Sequence, residues 1–278
     1  GLAGDVYDGL GRALAGVAKD RYGVDVPVVP AATAADAVHL VTAGRADVAF
    51  TTVDLAMAAL RGDAPFSTAV PITALAGLHD DYLHIVVGAD APIHRLADLR
   101  GRRVSVGPAG TPGDLMSGRV LEAARVYPGL VERRFLPAAE STEGLRSGAI
   151  DAYVVAGGIP LADITALAAR RPLRLLALAT EVDEMQQRFG EIYGLRSIPA
   201  GTYGLDREVP TLGVRNVLVA RRDLADDDAR WAAGLLFAAK PALVRAYEGA
   251  RQLDARSAAA TVPVPLHPGA QRYYREAK

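Results

Sequence analysis

Arg103-Val-Ser-Val106, then Gly107-Pro-Ala-Gly-Thr-Pro-Gly113, then the run through Asp114 to Arg125 is the stretch that decides the fold. A short strand leads into a glycine- and proline-rich turn, and the turn leads into a helix predicted from about Pro112 to Arg125. Proline is acceptable in a first helical turn, where an N–H would have no intrahelical partner. The small residues Gly107, Gly110 and Gly113 let a ligand approach the backbone. N–H groups at the helix start would then face it with the positive end of the helix dipole, a setting that suits carboxylate or phosphate. Thr111 can cap the helix and also bond a ligand. A simple cap and turn accounts for the same residues equally well.

The alternation extends in both directions from this unit. Leu10, Leu14, Val17 and Ala18 form a helical stripe within residues 6–20, and Val24 to Val29 reads as a buried strand closed by Pro30. Helices near 34–43 and 54–61 bracket a short strand at Asp47–Phe50, and Tyr82–Val87 is a clear β run. Beyond the glycine-rich turn, strands near 132–136, 149–155 and 173–178 alternate with helices near 140–147 and 161–169. Leu212–Ala220 is a second strong β run, and an alanine-rich helical region from Asp226 to about Ala260 is interrupted by Pro241. Such alternation predicts an α/β fold with mainly parallel sheets covered by helices. Gly44-Arg-Ala-Asp47 and Gly148-Ala-Ile-Asp151 echo each other at the end of a helix, one in each half of the chain. If the runs at 82–88 and 212–220 both cross between lobes, lobe one is 1–87 plus 213–278 and lobe two is 88–212. A two-strand crossing of that kind acts as a hinge, with ligands expected in the cleft between the lobes.

Composition narrows the function classes. With 278 residues, half of them apolar, the chain can bury a sizeable core or two. A net charge of −1 argues against a nucleic-acid surface as the main function. The absence of cysteine excludes disulfides, thiolate metal sites and thiol nucleophiles. No run of about eighteen apolar residues is present to span a membrane. The chain opens at Gly1 almost directly in a structured pattern, so an upstream export segment or lipid anchor is expected to be missing from it.

Catalytic and metal motifs are not evident. His39, His79, His84, His94 and His267 make no metal-binding spacing, so neither a metal nor another cofactor is expected. There is no G-x-S-x-G elbow, no P-loop and no dinucleotide-binding glycine fingerprint. The other strand-to-helix loops should open on the same side as Gly107–Gly113, at the carboxyl ends of strands. They hold Ala31–Asp36, Thr51–Asp54 and Ala156–Pro160. Asp36 and Asp54 are natural helix caps first and ligand contacts second. Tyr7 is an aromatic wall or ordinary core, and Tyr203, in Ile198-Pro-Ala-Gly-Thr-Tyr203, is a ligand contact or a packing residue.

Several of these motifs resemble the TAXI family, the solute-binding proteins of TRAP transporters. They are Ile198–Tyr203, the run Thr211–Val219, and Pro265-Leu-His-Pro-Gly-Ala-Gln-Arg-Tyr-Tyr-Arg-Glu276. Asp98-Leu-Arg-Gly-Arg-Arg-Val-Ser-Val-Gly-Pro108 and the Gly107–Gly113 loop fit as well. The resemblance implies a two-lobed periplasmic-binding-protein fold of type II, with two hinge crossings. It also implies an extracytoplasmic, non-enzymatic protein that captures a small polar solute, often carboxylate- or amino-acid-like, and delivers it to a TRAP permease. A monomer is the default for such a capture protein.

Carried over by position, the resemblance makes Asp5, Tyr7, Thr33, Asp36, Thr52, Asp54 and Gly157 candidate ligand contacts. They join Gly107, Gly110, Thr111, Gly113 and Tyr203. The cleft loops depart from the family pattern. Ala3-Gly-Asp5-Val-Tyr7-Asp8 replaces one glycine and one tyrosine by aspartates. Thr33-Ala-Ala-Asp36 stands for Thr-Gly-Gly-Ser, Thr52-Val53-Asp54 for Gln-Ser-Asp, and Ala156-Gly157 for Ser-Gly. If Asp5, Asp8 and Asp36 face the cleft, an amine-bearing solute is favoured; if they are solvated caps, they say nothing of the ligand. An enzyme or a sensory domain on the same scaffold stays open as the alternative.

Overall fold

A computed structural model describes residues 5–277; Ala3 and Gly4 of the N-terminal stretch and the final Lys278 lie outside the described residues. In chain order the elements are α1 (Val6–Tyr22), α2 (Ala34–Thr42), β1 (Val48–Thr52), α3 (Val53–Arg61) and β2 (Ile72–Gly88). Next come β3 (Arg103–Ser105), α4 (Pro112–Ala123), β4 (Glu132–Arg134), α5 (Ala138–Ser147), β5 (Ala152–Gly157), α6 (Ala162–Ala168) and β6 (Leu173–Leu175). The rest are α7 (Val182–Phe189), β7 (Tyr193–Ile198), β8 (Val209–Arg221), α8 (Asp226–Ala238), α9 (Lys240–Ala246), α10 (Ala255–Ala258) and α11 (Pro268–Glu276). Two compact units result. One takes the chain up to Asp80 and again from Arg215; the other is Asp81–Val214. The chain passes from one unit to the other twice, inside the long strands β2 and β8.

In the first unit, β1 pairs antiparallel with β8, from Val48 opposite Ala220 to Thr52 opposite Asn216. Leu10, Leu14 and Ala18 of α1 pack with Leu75, Leu78, Leu218, Leu236 and Leu243 into one core. The helix ends because Gly23 turns left-handed (φ 69°) and its N–H reaches back to Ala18 and Lys19 carbonyls. The C-terminus is tied to β2: His267 N–H donates to the Ala74 carbonyl (2.8 Å) and the Tyr274 hydroxyl to the Leu75 carbonyl (3.1 Å). At Gly269 the backbone passes so close to α8 that an added Cβ would lie 2.0 Å from the Asp226 carbonyl oxygen. Only glycine fits there.

In the second unit, β5 lies between β2 and β3, antiparallel to the first and parallel to the second. Strand β4 joins β3 in parallel, while β6 on β2 and β7 on β8 run antiparallel. Leu83, Ile85, Val104, Met116, Val120, Val154 and Leu212 belong to its larger core cluster. Helices cover a sheet as the α/β reading requires, but among the described strand ladders parallel pairing is confined to β3 with β4 and β5, with one isolated parallel bridge between Ala74 and Leu266. The sheet is mixed because β2 and β8 are long and are bordered by antiparallel neighbours.

One sequence expectation fails: Val24–Val29 carries no regular secondary structure and joins no ladder among the described residues, and within it only Val26 and Val28 are half-buried.

Candidate functional site

The β1–α3 junction of the first unit is the most deeply buried polar spot among the candidates. Thr51, Thr52 and Asp54 are each fully buried. Thr52 occupies the N-cap of α3 in extended conformation, yet makes no side-chain capping bond. Among the described residues, the Oγ1 atoms of Thr51 and Thr52 have no hydrogen-bond partner. A buried hydroxyl left this way costs about 1–3 kcal/mol. Asp54 accepts the N–H of Leu55 at 2.8 Å. Across the ladder from Thr52 stands Asn216, whose Oδ1 accepts the Tyr7 hydroxyl at 2.5 Å. The Tyr7 ring stacks on Phe50 with centroids 5.8 Å apart. Tyr7, Thr52 and Asp54 are therefore gathered at the carboxyl end of β1. The sequence reading missed Asn216, although a lone asparagine inside Val-Arg-Asn-Val-Leu-Val was the available signal.

Asp5, Thr33 and Asp36 serve local helix geometry. Asp5 caps α1 by accepting the Asp8 N–H at 2.8 Å. Asp8, buried, pairs with Arg12 one turn on at 2.9 Å. Thr33 caps α2 by accepting the Asp36 N–H (3.0 Å) and donates its hydroxyl to the Asp36 carboxylate (2.9 Å). These carboxylates therefore have nearby partners of their own.

In the second unit Gly107 and Gly110 both hold positive φ (85° and 76°), so the loop needs glycine there. Thr111 caps α4: its Oγ1 accepts the Asp114 N–H at 3.3 Å and donates to the Pro108 carbonyl at 2.7 Å. The cradle is not as open to an anion as the sequence suggests. Asp114 Oδ2 accepts the Gly110 N–H at 3.1 Å, and its Oδ1 pairs with Arg133 at 2.8 Å. A carboxylate of the chain itself thus accepts one of the loop's N–H groups, and its charge is paired by Arg133. Gly113, the second residue of α4, keeps its N–H outside the helix ladder. An added Cβ there would lie 3.9 Å from the Ala156 N–H, so the loop adjoins the end of β5. Arg133 sits on β4, within a charged three-residue strand that gave the sequence reading no signal.

Tyr203 completes this unit's set in an unexpected way. Its backbone is left-handed (φ 56°), held between Gly201 and Gly204, both with positive φ. Its hydroxyl accepts the Leu161 N–H at 2.7 Å and lies 3.1 Å from Nε2 of His84. The other ring nitrogen of His84, Nδ1, is 2.9 Å from the Tyr82 carbonyl and must donate to it. Nε2 is then the acceptor and Tyr203 the donor. Burial lowers the His84 pKa to about 4, which keeps this chain of bonds neutral near pH 7. Tyr203 thus clamps the segment that follows Gly157. Gly157 has no room for a side chain, because a Cβ would come within 2.9 Å of Leu161 Cδ2. In the first unit burial likewise lowers His79 to about 4, beside the Asp80–Arg215 pair (3.1 Å).

Among the described residues no group of three or more His, Asp or Glu side chains is placed to hold a metal ion, and no helix is long and apolar enough to cross a membrane. The fold is that of periplasmic binding proteins. It resembles the aliphatic sulphonate binding protein SsuA of Escherichia coli, with a TM-score of 0.55 at 17% identity over 98% of this chain and 80% of that one. A Xanthomonas citri protein bound to ATP gives 0.58 at 15% over 98% and 90%. A TctC solute-binding protein from Polaromonas gives 0.51 at 22% over 92% and 85%. The chain belongs to the NMT1-like family, which it matches over residues 1–277.

Proposed function

We propose that this protein is an extracytoplasmic solute-binding protein that captures a small polar solute without altering it and delivers it to a membrane permease. Thr52 is the observation that carries the reading. Two other threonines at helix starts, Thr33 and Thr111, put their oxygens to work as caps. Thr52 occupies the same position, is fully buried, and leaves its hydroxyl unbonded among the described residues. A ligand that bonds this hydroxyl would repay a desolvation that folding alone leaves uncompensated. Tyr7, Asp54 and Asn216 supply further polar groups around it. Micromolar affinity needs only about 8 kcal/mol, within reach of a few such bonds in a dry setting.

The solute is proposed to be carboxylate- or amino-acid-like, and in the second unit Gly107, Gly110, Thr111, Gly113, Gly157 and Tyr203 remain candidate contacts. The TAXI-like motifs Ile198–Tyr203 and Pro265–Glu276 support a TRAP-type permease as the partner and a monomer as the working form. SsuA and the TctC protein, by their names, bind solutes, which supports the same class.

Native mass spectrometry of the purified protein identifies what travels with it. Calorimetry with that compound, glutamate, arginine and simple dicarboxylates then ranks the ligand class. Recovery of unchanged compound, bound more weakly after Thr52→Val, is the expected result. Chemical conversion of the bound compound, or undiminished binding by the variant, would refute the proposal.

A further inference from the structure

Strand β4 is the outer edge of the second unit's sheet: it pairs with β3, and among the described residues no further strand lies beyond it. The chain around it is apolar for a surface. Tyr127, Leu130 and Phe135 stay exposed (48%, 41% and 49%), three of the four large apolar side chains left so among the described residues of Asp81–Val214. An open edge flanked by exposed apolar side chains is a template for another strand unless its charges forbid pairing. β4 carries three charges, Glu132, Arg133 and Arg134. Where those charges stand decides whether a second strand can join.

The backbone fixes which groups face outward. Glu132 N–H donates to the Arg102 carbonyl (2.9 Å) and the Arg134 carbonyl accepts the Val106 N–H (2.9 Å), so residues 132 and 134 turn their backbones to β3. Val131, Arg133 and Phe135 therefore aim their N–H and C=O groups at the open edge. Two copies related by a two-fold axis pair such edges antiparallel, with outward residues opposite outward residues. An axis at Glu132 sets that carboxylate against its own copy, and an axis at Arg134 does the same to the guanidinium; both registers oppose like charges. An axis at Arg133 sets Glu132 of each copy against Arg134 of the other. Glu132 and Arg134 already bond each other along the strand, both about half-exposed, so an exchange of partners across the axis keeps them paired. Arg133 then meets its own copy, but its charge is held by Asp114 at 2.8 Å and its guanidinium lies 5.2 Å from the centre of the Phe135 ring.

We propose that β4 is a self-association edge, at which two copies of this chain join their sheets antiparallel about Arg133. Val131 of one copy then faces Phe135 of the other, an aliphatic–aromatic cross-strand pair that adds to the two charge pairs. The ladder is short, and a contact of this kind buries less than about 1,200 Å² in total, the range of weak and transient association. A dissociation constant on the order of 100 μM follows, so the monomer persists at lower concentration. The pairing is independent of the solute reading, because Thr52 and its neighbours belong to the other unit.

Sedimentation equilibrium of the full chain, run from about 10 μM to about 1 mM at low salt, is expected to show monomer and dimer in exchange. Glu132→Arg and Arg134→Glu each oppose like charges across the axis and should weaken association at least about tenfold. The double variant, Glu132→Arg with Arg134→Glu, restores opposite charges and should associate as the parent does. An equimolar mixture of the two single variants should associate although neither does so alone, which also shows that both are folded. In the unaltered chain, amide exchange at Arg133 and Phe135 should slow as concentration rises. A chain that stays monomeric throughout overturns the proposal, as does concentration-independent exchange at those two amides. So does a double variant as weak as the singles, or single variants that associate as well as the parent, since either result places the contact elsewhere.

Discussion

The junctions into α3 and α4 look alike in sequence and behave oppositely. Each is a strand, a threonine at the N-cap, and an aspartate in the first helical turn. At α4 the threonine caps and the aspartate bonds both the loop and Arg133, so the half-buried loop satisfies itself. At α3 the threonine is buried and its hydroxyl bonds nothing among the described residues. Sequence patterns for caps and for ligand contacts coincide, and only the fate of each hydroxyl separates them.

The largest expected effect is common to both units and sets the baseline for the contrast. Burial holds His79 and His84 at about 4, against an ordinary value near 6.5. The unfolded chain gains these protons below pH 6.5, and the folded chain resists until about pH 4. Stability is therefore full above pH 6.5 and falls as pH drops toward 4, by up to ~3 kcal/mol per histidine. Urea unfolding at pH 7.5 and 4.5 measures it, and a flat profile would show that neither ring is buried neutral.

Thr52→Val comes next. It should weaken solute binding about 10–100-fold, equivalent to ~1.4–2.7 kcal/mol, and leave the melting temperature level or slightly raised. A fall in stability with intact affinity would reverse the contrast between the junctions. Tyr203→Phe removes an acceptor from Leu161 and a donor to His84; unfolding free energy should drop by about 1–3 kcal/mol. Smallest is Thr111→Val, a lost cap costing about 1 kcal/mol of stability. If it instead abolished solute binding while leaving stability unchanged, the second junction would belong with the first.

Local signals made much of the fold readable. The apolar stripe of α1, Pro112 in the first turn of α4 and the break near Pro241 mark helices where the structure has them. The tyrosine pair of the Pro265–Glu276 motif ties the C-terminal helix down through Tyr274, which bonds the Leu75 carbonyl. What stayed hidden depends on neighbours distant in sequence. Val24–Val29 has strand composition, but a ladder needs a partner beside it. Helix α7 buries Val182 and Met185, too sparse an apolar stripe to declare itself. At the candidate site the residue types were legible and their bonds were not: nothing in Gly107–Gly113 shows that Asp114 will fold back on Gly110, and nothing near Thr52 names Asn216 as its cross-strand neighbour.

Because Ala74 and Leu75 are clasped by His267 and Tyr274, the first unit cannot be completed until the α11 segment has left the ribosome. The second unit is one uninterrupted span, Asp81–Val214, and can close while its companion is still half-made. The α1 segment, made earlier, must therefore wait with Leu10 and Leu14 uncovered for the α11 segment made later.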